Sequence, residues 1–537
     1  MTATATAGRV VHPADVNKWL VTVSVAFGSL MATIDSSIVN VALPSIRGEL
    51  GASLQEITWI STAYIVAMVL VMPLTGFLGG FFGQKRVYVI AMVMFVVGSM
   101  LCGTARTLPV LIVYRVIQGL AGGALQPTQQ AILRQTFPPE EQGMAMAIFS
   151  MVVMIGPAIG NVLGGVITDQ ASWPWIFYIN VPIGLIGILM TIQNVHEYED
   201  VKIANRARAV LQKQHLDIAG IALMVVFVGS TQYLFEQGPQ DDWFYSPGIR
   251  IAAFLCAVSF VAFIIRELTA TAPVVNIRLF KDSAFASSTL IAFVMFGMLL
   301  GSMFLLPVFC EESLHYTATL TGIVLIPRTL AMMALSPVVG RLYNRVQPAF
   351  IVGFGVILFA IGSYEFSNVT LATSATRMVV PLVITGFAFA CLFVPLTTAA
   401  LSNTPRHQMA DAAGLNSFVR QVGGSVGLTV MATLFTDFVV GGYGTLSAHI
   451  TRLRPEVVSQ LAHTRGWLMA HGVAPSSAKL ATGELLGHRV MSQANVLGFD
   501  RVFLLQGLLF LGVIPLLFFL RVKRVTGAPV HVEMPAE

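Results

Sequence analysis

About fourteen apolar runs, each long enough to cross a lipid bilayer as a helix, follow one another between residues 19 and 520. Charged residues make up only 11% of the 537 residues and hydrophobic residues 55%. A soluble domain carries about 25% charged residues, so this chain cannot cover a water-facing surface of its size. Because the apolar runs are continuous rather than alternating, they predict an all-α polytopic membrane protein and favour helices over a β-barrel.

Turn and charge signals separate the runs, among them Pro44, the loop 83–86 and Pro138-Pro139. The only sizeable polar stretch, 437–498, is predicted to lie outside the bilayer and to form short helices. The predicted spans are 19–43, 57–79, 86–105, 108–133, 144–168, 174–194, 217–236, 249–267, 285–309, 319–341, 350–366, 378–402, 412–436 and 499–520.

The distribution of Lys and Arg predicts the orientation. With the N-terminus inside, the inner segments hold eighteen of these residues, and the short outer loops hold only Arg47, Arg106, Arg250 and Arg377. Short basic loops stay on the cytoplasmic side of a membrane. We therefore expect both termini in the cytoplasm. The same loops account for the net charge of +5, and we expect no nucleic-acid partner.

Two halves of the sequence resemble each other at a nearly constant offset. The matching segments are 73–78 with 337–342, 116–119 with 383–386, and 155–160 with 422–427. They predict two similar six-helix bundles plus two inserted helices, the architecture of rocking transporters, although generic Gly/Pro packing is an alternative. The predicted domains are a first bundle at 1–194, a basic linker and the inserted helices at 195–284, and a second bundle at 285–537 that includes the outer loop.

Asp35 and Arg115 are ionisable residues inside predicted spans, where such a residue costs at least about 2.5 kcal/mol and usually faces a cavity or a partner. Asp35 lies roughly 24 Å from the inner end of span 1, at about 1.5 Å per residue. Span 4 begins at the outer side, and Arg115 lies near that end, so the two charges lie at comparable depth. Gln118 lies on the same helix face as Arg115. They predict a pair whose balance changes when Asp35 takes up a proton. The alternative is a static pair that only orients helices.

Other polar residues are candidates for a substrate cavity. Glu236 and Glu365 lie near the outer ends of spans 7 and 11, where each could simply face water. Arg328 and Arg420 lie in spans 10 and 13, where they could bind anionic groups or satisfy backbone carbonyls at Pro or Gly breaks. The candidate cavity residues are Asn40, Gln118, Glu236, Glu365, Arg328 and Arg420.

The motifs of common enzymes are absent from the sequence, including HExxH and the phosphate-binding loop. The GxSxG pattern at 423–427 lies within an apolar helix rather than at a strand-to-helix turn. We therefore expect no enzyme activity, no metal and no cofactor, and an ion gradient rather than ATP as the driving force.

Eight segments together carry a family resemblance. They are Ile34–Pro44, Gly76–Arg86, Arg115–Gly119, Gly156–Gly160, Trp173–Gly184, Glu236–Gly238 with Asp242–Phe244, and Phe418–Gly427. With them the chain resembles the fourteen-span drug/proton antiporters of the major facilitator superfamily, of the EmrB type. The resemblance implies export of hydrophobic or amphipathic compounds in exchange for protons across the bacterial inner membrane. It also implies a periplasmic adaptor and an outer-membrane channel as partners, with the polar stretch 437–498 as the docking surface.

The resemblance also implies roles for particular residues. Asp35 would be the coupling acid and Arg115 its charge partner. The residues implied in gating or helix packing are Gly76, Gly83, Lys85, Arg86, Gly156, Pro157 and Gly160. The small residues of span 5 permit close backbone approach, and Pro157 removes one backbone hydrogen bond, although ordinary tight packing would explain both.

The chain departs from the family pattern at two positions. Gly80 stands where the superfamily loop usually has an Asp that helps latch the inner gate, and Arg328 is unexpected in an EmrB-type permease. Two other functions fit the sequence. One is narrow export of a metabolite, siderophore or antibiotic, and the other is a non-transporting sensor or scaffold. A scaffold would gain nothing from burying Asp35 and Arg115. The expected partners are small amphipathic substrates, protons and membrane lipid.

Overall fold

A computed structural model describes residues 17–198, 201, 203, 217–241, 243–271, 273–450 and 454–520. Of these described residues 87% are helical, and no strand occurs among them. Fourteen helical segments are long and apolar enough to cross a membrane, which confirms the predicted fold class. Spans 1 to 14 are Lys18–Leu50, Glu56–Phe82, Gln84–Thr104, Leu108–Thr136, Pro139–Gln170, Trp175–Asn194, Ile218–Gln237, Pro247–Thr269, Ser283–Ser313, Leu320–Leu342, Pro348–Phe366, Ala375–Ala400, Arg406–Ala448 and Pro475–Phe519.

The two faces of the helix assembly differ in charge. The face on which span 1 begins is named the basic face, because Lys85, Arg134, Arg345 and Arg406 lie at the helix ends there. The opposite face is named the far face. Predicted basic residues at 1–16, 204–216 and 521–537 lie outside the described residues, as does most of the predicted linker.

Side-chain caps define several helix starts. The Asn17 side chain accepts hydrogen bonds from the backbone of Trp19 and Leu20 at the start of span 1. Ser53 and Glu56 form a reciprocal capping box before span 2. Such caps satisfy N–H groups that have no partner inside the helix, so these polar residues fix where each apolar segment begins.

The two bundles repeat each other in their packing. A Cβ on Gly119 of span 4 would collide with the Tyr64 carbonyl of span 2, and a Cβ on Gly386 of span 12 would collide with the Arg328 carbonyl of span 10. The glycines are 267 residues apart and their partners 264, the offsets found in the sequence. The repeat is therefore structural, and the same backbone approach is used twice. The exact domain boundaries at 194/195 and 284/285 stay a prediction.

Span 7, the first of the inserted pair, lies against both bundles, while span 8 packs on span 7. On one side the Thr62 hydroxyl of span 2 donates to Glu236 at 3.1 Å. On the other side the Ser425 hydroxyl of span 13 donates to Gln232 at 3.2 Å. These contacts place the far-face half of span 7 across the gap between spans 2 and 13.

Span 1 is longer than the sequence predicts. The prediction ends it at residue 43 before Pro44, but the helix continues through Pro44 to Leu50. A proline removes one backbone hydrogen bond, and helices packed within membrane proteins tolerate that loss. Gly51 then ends the helix with a left-handed backbone, at φ 64°.

The prediction of short helices in the polar stretch 437–498 holds for Pro455–Ala470 and is wrong for most of the rest, which belongs to two long helices. The helix of span 13 runs over Met409–Ala448, which at 40 residues is about 60 Å long, and the helix of span 14 runs over Pro475–Leu511. Both exceed the roughly 30 Å of a bilayer core and extend beyond it at the far face. Gly442 packs on Ala494 between these extensions, and the helix Pro455–Ala470 connects them.

Candidate functional site

Asp35 of span 1 and Arg115 of span 4 form a buried ion pair. The Arg115 Nη1 donates to Asp35 Oδ2 at 2.6 Å, and the side chains are 1% and 0% exposed. The structure thus joins the two opposite charges that the sequence places at comparable depth. Their role in proton coupling stays a prediction.

The second oxygen of the Asp35 carboxylate is also fully engaged. Gln118 Nε2 donates to Oδ1 at 2.8 Å and Asn180 Nδ2 donates to it at 3.0 Å. Both amides also donate to the Ser99 hydroxyl, at 2.6 and 3.1 Å. Sequence reasoning named Gln118 but missed Asn180 and Ser99 as site residues. The signal for Asn180 was a polar residue within the apolar run of span 6.

Hydrogen bonds and stacking on an aromatic ring fix the position of the Arg115 side chain. Its Nη1 also donates to Gln118 Oε1 at 2.7 Å, and its Nε donates to the Ile60 carbonyl of span 2 at 3.3 Å. The guanidinium lies over the Tyr64 ring, 4.0 Å from the ring centre. A planar guanidinium that is stacked on a ring and makes several hydrogen bonds has a fixed position. A change in the charge of Asp35 therefore acts on a cation that cannot easily move away.

The arrangement can respond to a proton. An ionised carboxylate only accepts hydrogen bonds, whereas a protonated one must donate one. Asp35 receives bonds from three donors, on spans 4 and 6. Protonation therefore removes the charge partner of Arg115 and forces at least one of the donors to turn away.

Span 5 packs closely on span 1 beside the ion pair. A Cβ on Gly156 would collide with the Thr33 side chain, and a Cβ on Gly160 would collide with the Ser37 hydroxyl. Pro157 lies between them and is partly buried. The antiporter-type motif is thus a helix contact, and a gating role for it stays a prediction.

Gly76 belongs to the contact between the two bundles at the basic face. A Cβ on Gly76 would collide with Asp411, in the first turn of the span 13 helix. The Thr75 hydroxyl donates to the carbonyl of Ala410 at 3.5 Å. The loop glycine thus allows the end of span 2 to touch the start of span 13.

The other loop-motif residues contact the first bundle or solvent. Gly83 has φ 88°, a backbone conformation that favours glycine, and has no room for a Cβ beside Glu197. Glu197 accepts from the Lys85 backbone N–H at 3.1 Å, and Lys85 Nζ donates to the Ile192 carbonyl at 2.7 Å. Arg86 is exposed. Glu197 was missed by the sequence reasoning because it follows span 6, more than a hundred residues away.

Further hydrogen bonds join the bundles in their basic-face halves. Gln130 Nε2 of span 4 donates to the Ser417 hydroxyl of span 13 at 3.3 Å. Arg134 Nη2 donates to the Leu401 carbonyl at 2.6 Å. The bundles are therefore closed on each other at the basic face.

Three candidate cavity residues lie apart from this cluster. Asn40 is exposed and accepts from the Ser61 hydroxyl at 2.9 Å. Glu236 is partly buried and accepts from Thr62. Glu365 is exposed at the outer end of span 11. Within the described residues, none of the three hydrogen-bonds to the Asp35 cluster.

The two candidate arginines lie in the second bundle. Arg420 is 2% exposed and stacks on Phe296 and Phe393, at 4.8 and 5.1 Å from the ring centres. Arg328 is partly buried, stacks on Phe389 at 4.8 Å and donates to the Ser302 hydroxyl at 3.0 Å. The prediction that they satisfy backbone carbonyls finds no such bond among the described residues.

Comparison with known proteins assigns this fold to a family. A family model described as Major Facilitator Superfamily matches residues 25–428, about three quarters of the chain. Multidrug export protein EmrB of Haemophilus influenzae is 36% identical over 502 residues, which cover 93% of this chain and 95% of that protein. The chain belongs to the Major Facilitator Superfamily, of the EmrB type.

This EmrB-type chain has further relatives in sequence and in fold. Multidrug export protein EmrB of Escherichia coli is 32% identical over 505 residues, covering 93% of this chain and 94% of that protein. The human organic anion transporter MFSD10 (TETRAN) has a TM-score of 0.60 at 14% identity, over 93% of this chain and 99% of that one. That likeness concerns the fold alone, and it agrees with a multi-pass membrane protein of two helix bundles.

Proposed function

We propose that this chain is a proton-coupled antiporter that exports hydrophobic and amphipathic compounds by alternating access. The observation that carries the proposal is the buried Asp35–Arg115 pair with its three donors to one carboxylate. A burial this costly makes sense when the charge of the pair changes during the cycle. The related proteins named for multidrug export support the substrate class.

The proton step follows from the hydrogen-bond inventory of the cluster. When Asp35 takes up a proton, the carboxyl gains an O–H, and the bond from Gln118 or Asn180 must break or reverse. Arg115 keeps its bond to the Ile60 carbonyl. Span 1 thereby loosens from spans 4 and 6, while span 4 stays attached to span 2.

Closure of the basic face supports alternating access. We propose that the basic face is cytoplasmic, because short basic loops remain on that side. The bonds from Gln130 to Ser417 and from Arg134 to Leu401 then close the cytoplasmic side. Rocking of the bundles would break these bonds and open the protein to the cytoplasm.

The far-face helices support a periplasmic adaptor in this proposal. The extensions of spans 13 and 14 and the helix Pro455–Ala470 form a helical projection outside the apolar core. It carries exposed apolar side chains, including Trp467 at 55% and Leu480 at 73%. Such side chains on a projecting helical surface are typical of a protein contact.

The test is substrate-induced proton movement in proteoliposomes under an imposed pH gradient. Anionic, neutral and cationic lipophilic dyes are offered separately to the natural protein and to Asp35→Asn. We expect the natural protein to move at least one dye against its gradient, with proton flow in the opposite direction. Asp35→Asn should bind that dye and move it no faster than empty vesicles.

The control is Asp169→Asn, since Asp169 is an exposed carboxylate at the end of span 5. It should transport like the natural protein. If Asp35→Asn still exchanges dye for protons at the natural rate, Asp35 is not the coupling acid. If the natural protein moves none of the dyes, the export proposal itself fails.

A further inference from the structure

We propose that Arg420, together with Arg328, forms a binding site for the acidic group of an amphipathic anion in the second bundle. The site deepens the proposed export function, on which it rests, by naming a substrate class. Arg420 lies eleven residues into the helix that begins at Met409, about 16 Å from its start. That depth is near the middle of a bilayer core of about 30 Å.

Arg420 is a buried cation, and no described residue supplies its counter-charge. It is 2% exposed, and its Nη1 has no hydrogen-bond partner among the described residues. Within the described ranges Arg420 makes neither an ion pair nor a hydrogen bond, and its contacts are the faces of Phe296 and Phe393. Aromatic faces stabilise a cation only partly, so a desolvated guanidinium still favours an incoming anion.

The first bundle contains a buried arginine whose charge is balanced by an acidic side chain. Arg115 is buried to the same degree and also stacks on an aromatic ring, that of Tyr64. Its charge, however, is matched by Asp35, and the Ile60 carbonyl takes its Nε–H. The difference between the two arginines is the missing acceptor at Arg420.

A second donor without a partner lies beside Arg420. Asn416 is four residues earlier on the same helix and therefore on the same face. It is 1% exposed, and its side-chain oxygen accepts from the Thr289 hydroxyl at 3.3 Å, while its Nδ2 has no partner. Two buried donors without acceptors on one helix face call for a ligand rich in acceptors, such as a carboxylate or a sulfonate.

Arg328 adds a second cation along the same aromatic surface. It stacks on Phe389, and Arg420 stacks on Phe393. The two rings are four residues apart on span 12 and so lie one above the other on one face. Phe149 of the first bundle approaches Phe393 at 6.1 Å between ring centres, so the surface reaches the boundary between the bundles. The apolar part of a ligand can rest on these rings while its acidic group meets the arginines.

The site lies next to the contacts that close the two bundles on each other at the basic face. Ser417, which contacts Gln130 across the bundle boundary, lies three residues before Arg420. Arg420 is therefore just on the far-face side of the closed region. A ligand bound there would lose its contacts with the first bundle when the two bundles rock apart at that boundary.

The test measures binding of two probes with one ring system and opposite charge. Tritiated 2-naphthoate and tritiated 2-naphthyltrimethylammonium are bound to the full-length protein in detergent and measured by scintillation proximity. We expect the natural protein to prefer naphthoate. Arg420→Gln should weaken naphthoate binding by about tenfold or more, as expected for the loss of hydrogen bonds to a charged group, and should leave or improve binding of the cation.

Three further variants complete the test. Arg420→Lys should recover part of the naphthoate affinity, and Arg328→Gln should lower it less than Arg420→Gln does. Arg106→Gln, which removes an exposed positive charge, should change neither probe. If Arg420→Gln does not yield a monodisperse protein, the naphthoate affinities of Arg420→Lys and Arg328→Gln test the site instead. If both variants bind naphthoate as tightly as the natural protein does, the proposed site is overturned.

Two other results also overturn the proposal. One is equal affinity of the natural protein for both probes, or a preference for the cation. The other is an equal loss of both probes in a folded Arg420→Gln, which would make Arg420 a positioning residue. Binding in detergent needs no proton gradient, so anion-selective binding without proton exchange in vesicles would reject the antiporter proposal and keep the anion site.

Discussion

Gly143 of span 5 and Gly340 of span 10 touch backbone to backbone across the boundary between the bundles. A Cβ on Gly340 would lie 2.8 Å from the Gly143 carbonyl oxygen, closer than real Cβ contacts. With the sequence offsets of 264 and 267, Gly340 corresponds to Gly76 and Gly143 to a position next to Asp411. The basic face is thus closed by two equivalent contacts, one on each side of the pseudo-twofold axis.

Gly143→Val should open this closure. The added side chain cannot fit against Gly340, so the bundles must separate at the basic face or the helices must shift. We expect faster reaction of a cysteine placed at Ser417, which is 1% exposed, with N-ethylmaleimide. The measurement is the labelling rate in a Cys256→Ser background, because Cys256 is partly exposed.

Gly165→Val is the matched control for that variant. It lies on the same span, and a Cβ there meets nothing within 4 Å. It should leave the labelling rate at Ser417→Cys unchanged. An unchanged rate in a folded Gly143→Val would show that the glycine pair does not hold the bundles together.

Asn180→Ala should destabilise the protein through Asp35. It removes a donor from a buried carboxylate, at a cost of about 1–3 kcal/mol in the free energy of unfolding. In an Asp35→Asn background the same change should cost less, because a bond to a neutral amide is weaker than a bond to a charge. Thermal unfolding of the four proteins in detergent gives the coupling energy, and a coupling of zero would contradict this account.

Arg115→Lys should lose coupled transport although it keeps the charge. Lysine lacks the planar fork that bonds Asp35 and Gln118 together and stacks on Tyr64. Tyr64→Phe keeps a ring beneath the guanidinium and should retain most of the transport. The measurement is dye-driven proton movement in proteoliposomes. Equal rates for Arg115→Lys and the natural protein would show that only charge matters there.

Gly83→Ala should lower the stability of the loop between spans 2 and 3. Its backbone, at φ 88° and ψ 146°, lies in a region that is essentially restricted to glycine and costs an alanine roughly 1–3 kcal/mol, and the new Cβ also collides with Glu197. Gly51→Ala is the milder comparison, because Gly51 has a left-handed helical backbone, at φ 64° and ψ 29°, with nothing within 4 Å of a Cβ. We expect a lower melting temperature for Gly83→Ala than for Gly51→Ala. The reverse order would contradict both the backbone cost and the Glu197 collision at Gly83.

The sequence predicts the features that follow from hydropathy and depth. Apolar length predicts the fourteen spans, and counting residues from the helix ends predicts that Asp35 and Arg115 can meet. The Asn180 contribution could not be predicted in this way. Its amide reaches Asp35 only because span 6 packs on span 1, and no pattern within span 6 reveals its neighbour.

The far-face helices escaped the sequence analysis for a related reason. A hydropathy pattern predicts the end of a span at the edge of the bilayer. The helix itself ends only where its backbone groups no longer form hydrogen bonds within the helix. The Gly-Gly-Tyr-Gly run at 441–444 looks like a loop by propensity. In the structure Gly442 lies against Ala494 of span 14 within a continuous helix, and tertiary packing outweighs the propensity.

Span 7 makes a symmetric pair of bundles asymmetric at the rim. Besides its bonds to Thr62 and Ser425, its Phe235 carbonyl accepts from the Thr429 hydroxyl at 2.9 Å, which fixes it to span 13. In the described part of the chain no helix takes the matching position between spans 5 and 10. In the far-face half, span 7 therefore covers the boundary between the bundles on one flank, while on the other flank spans 5 and 10 contact each other with no described helix over them.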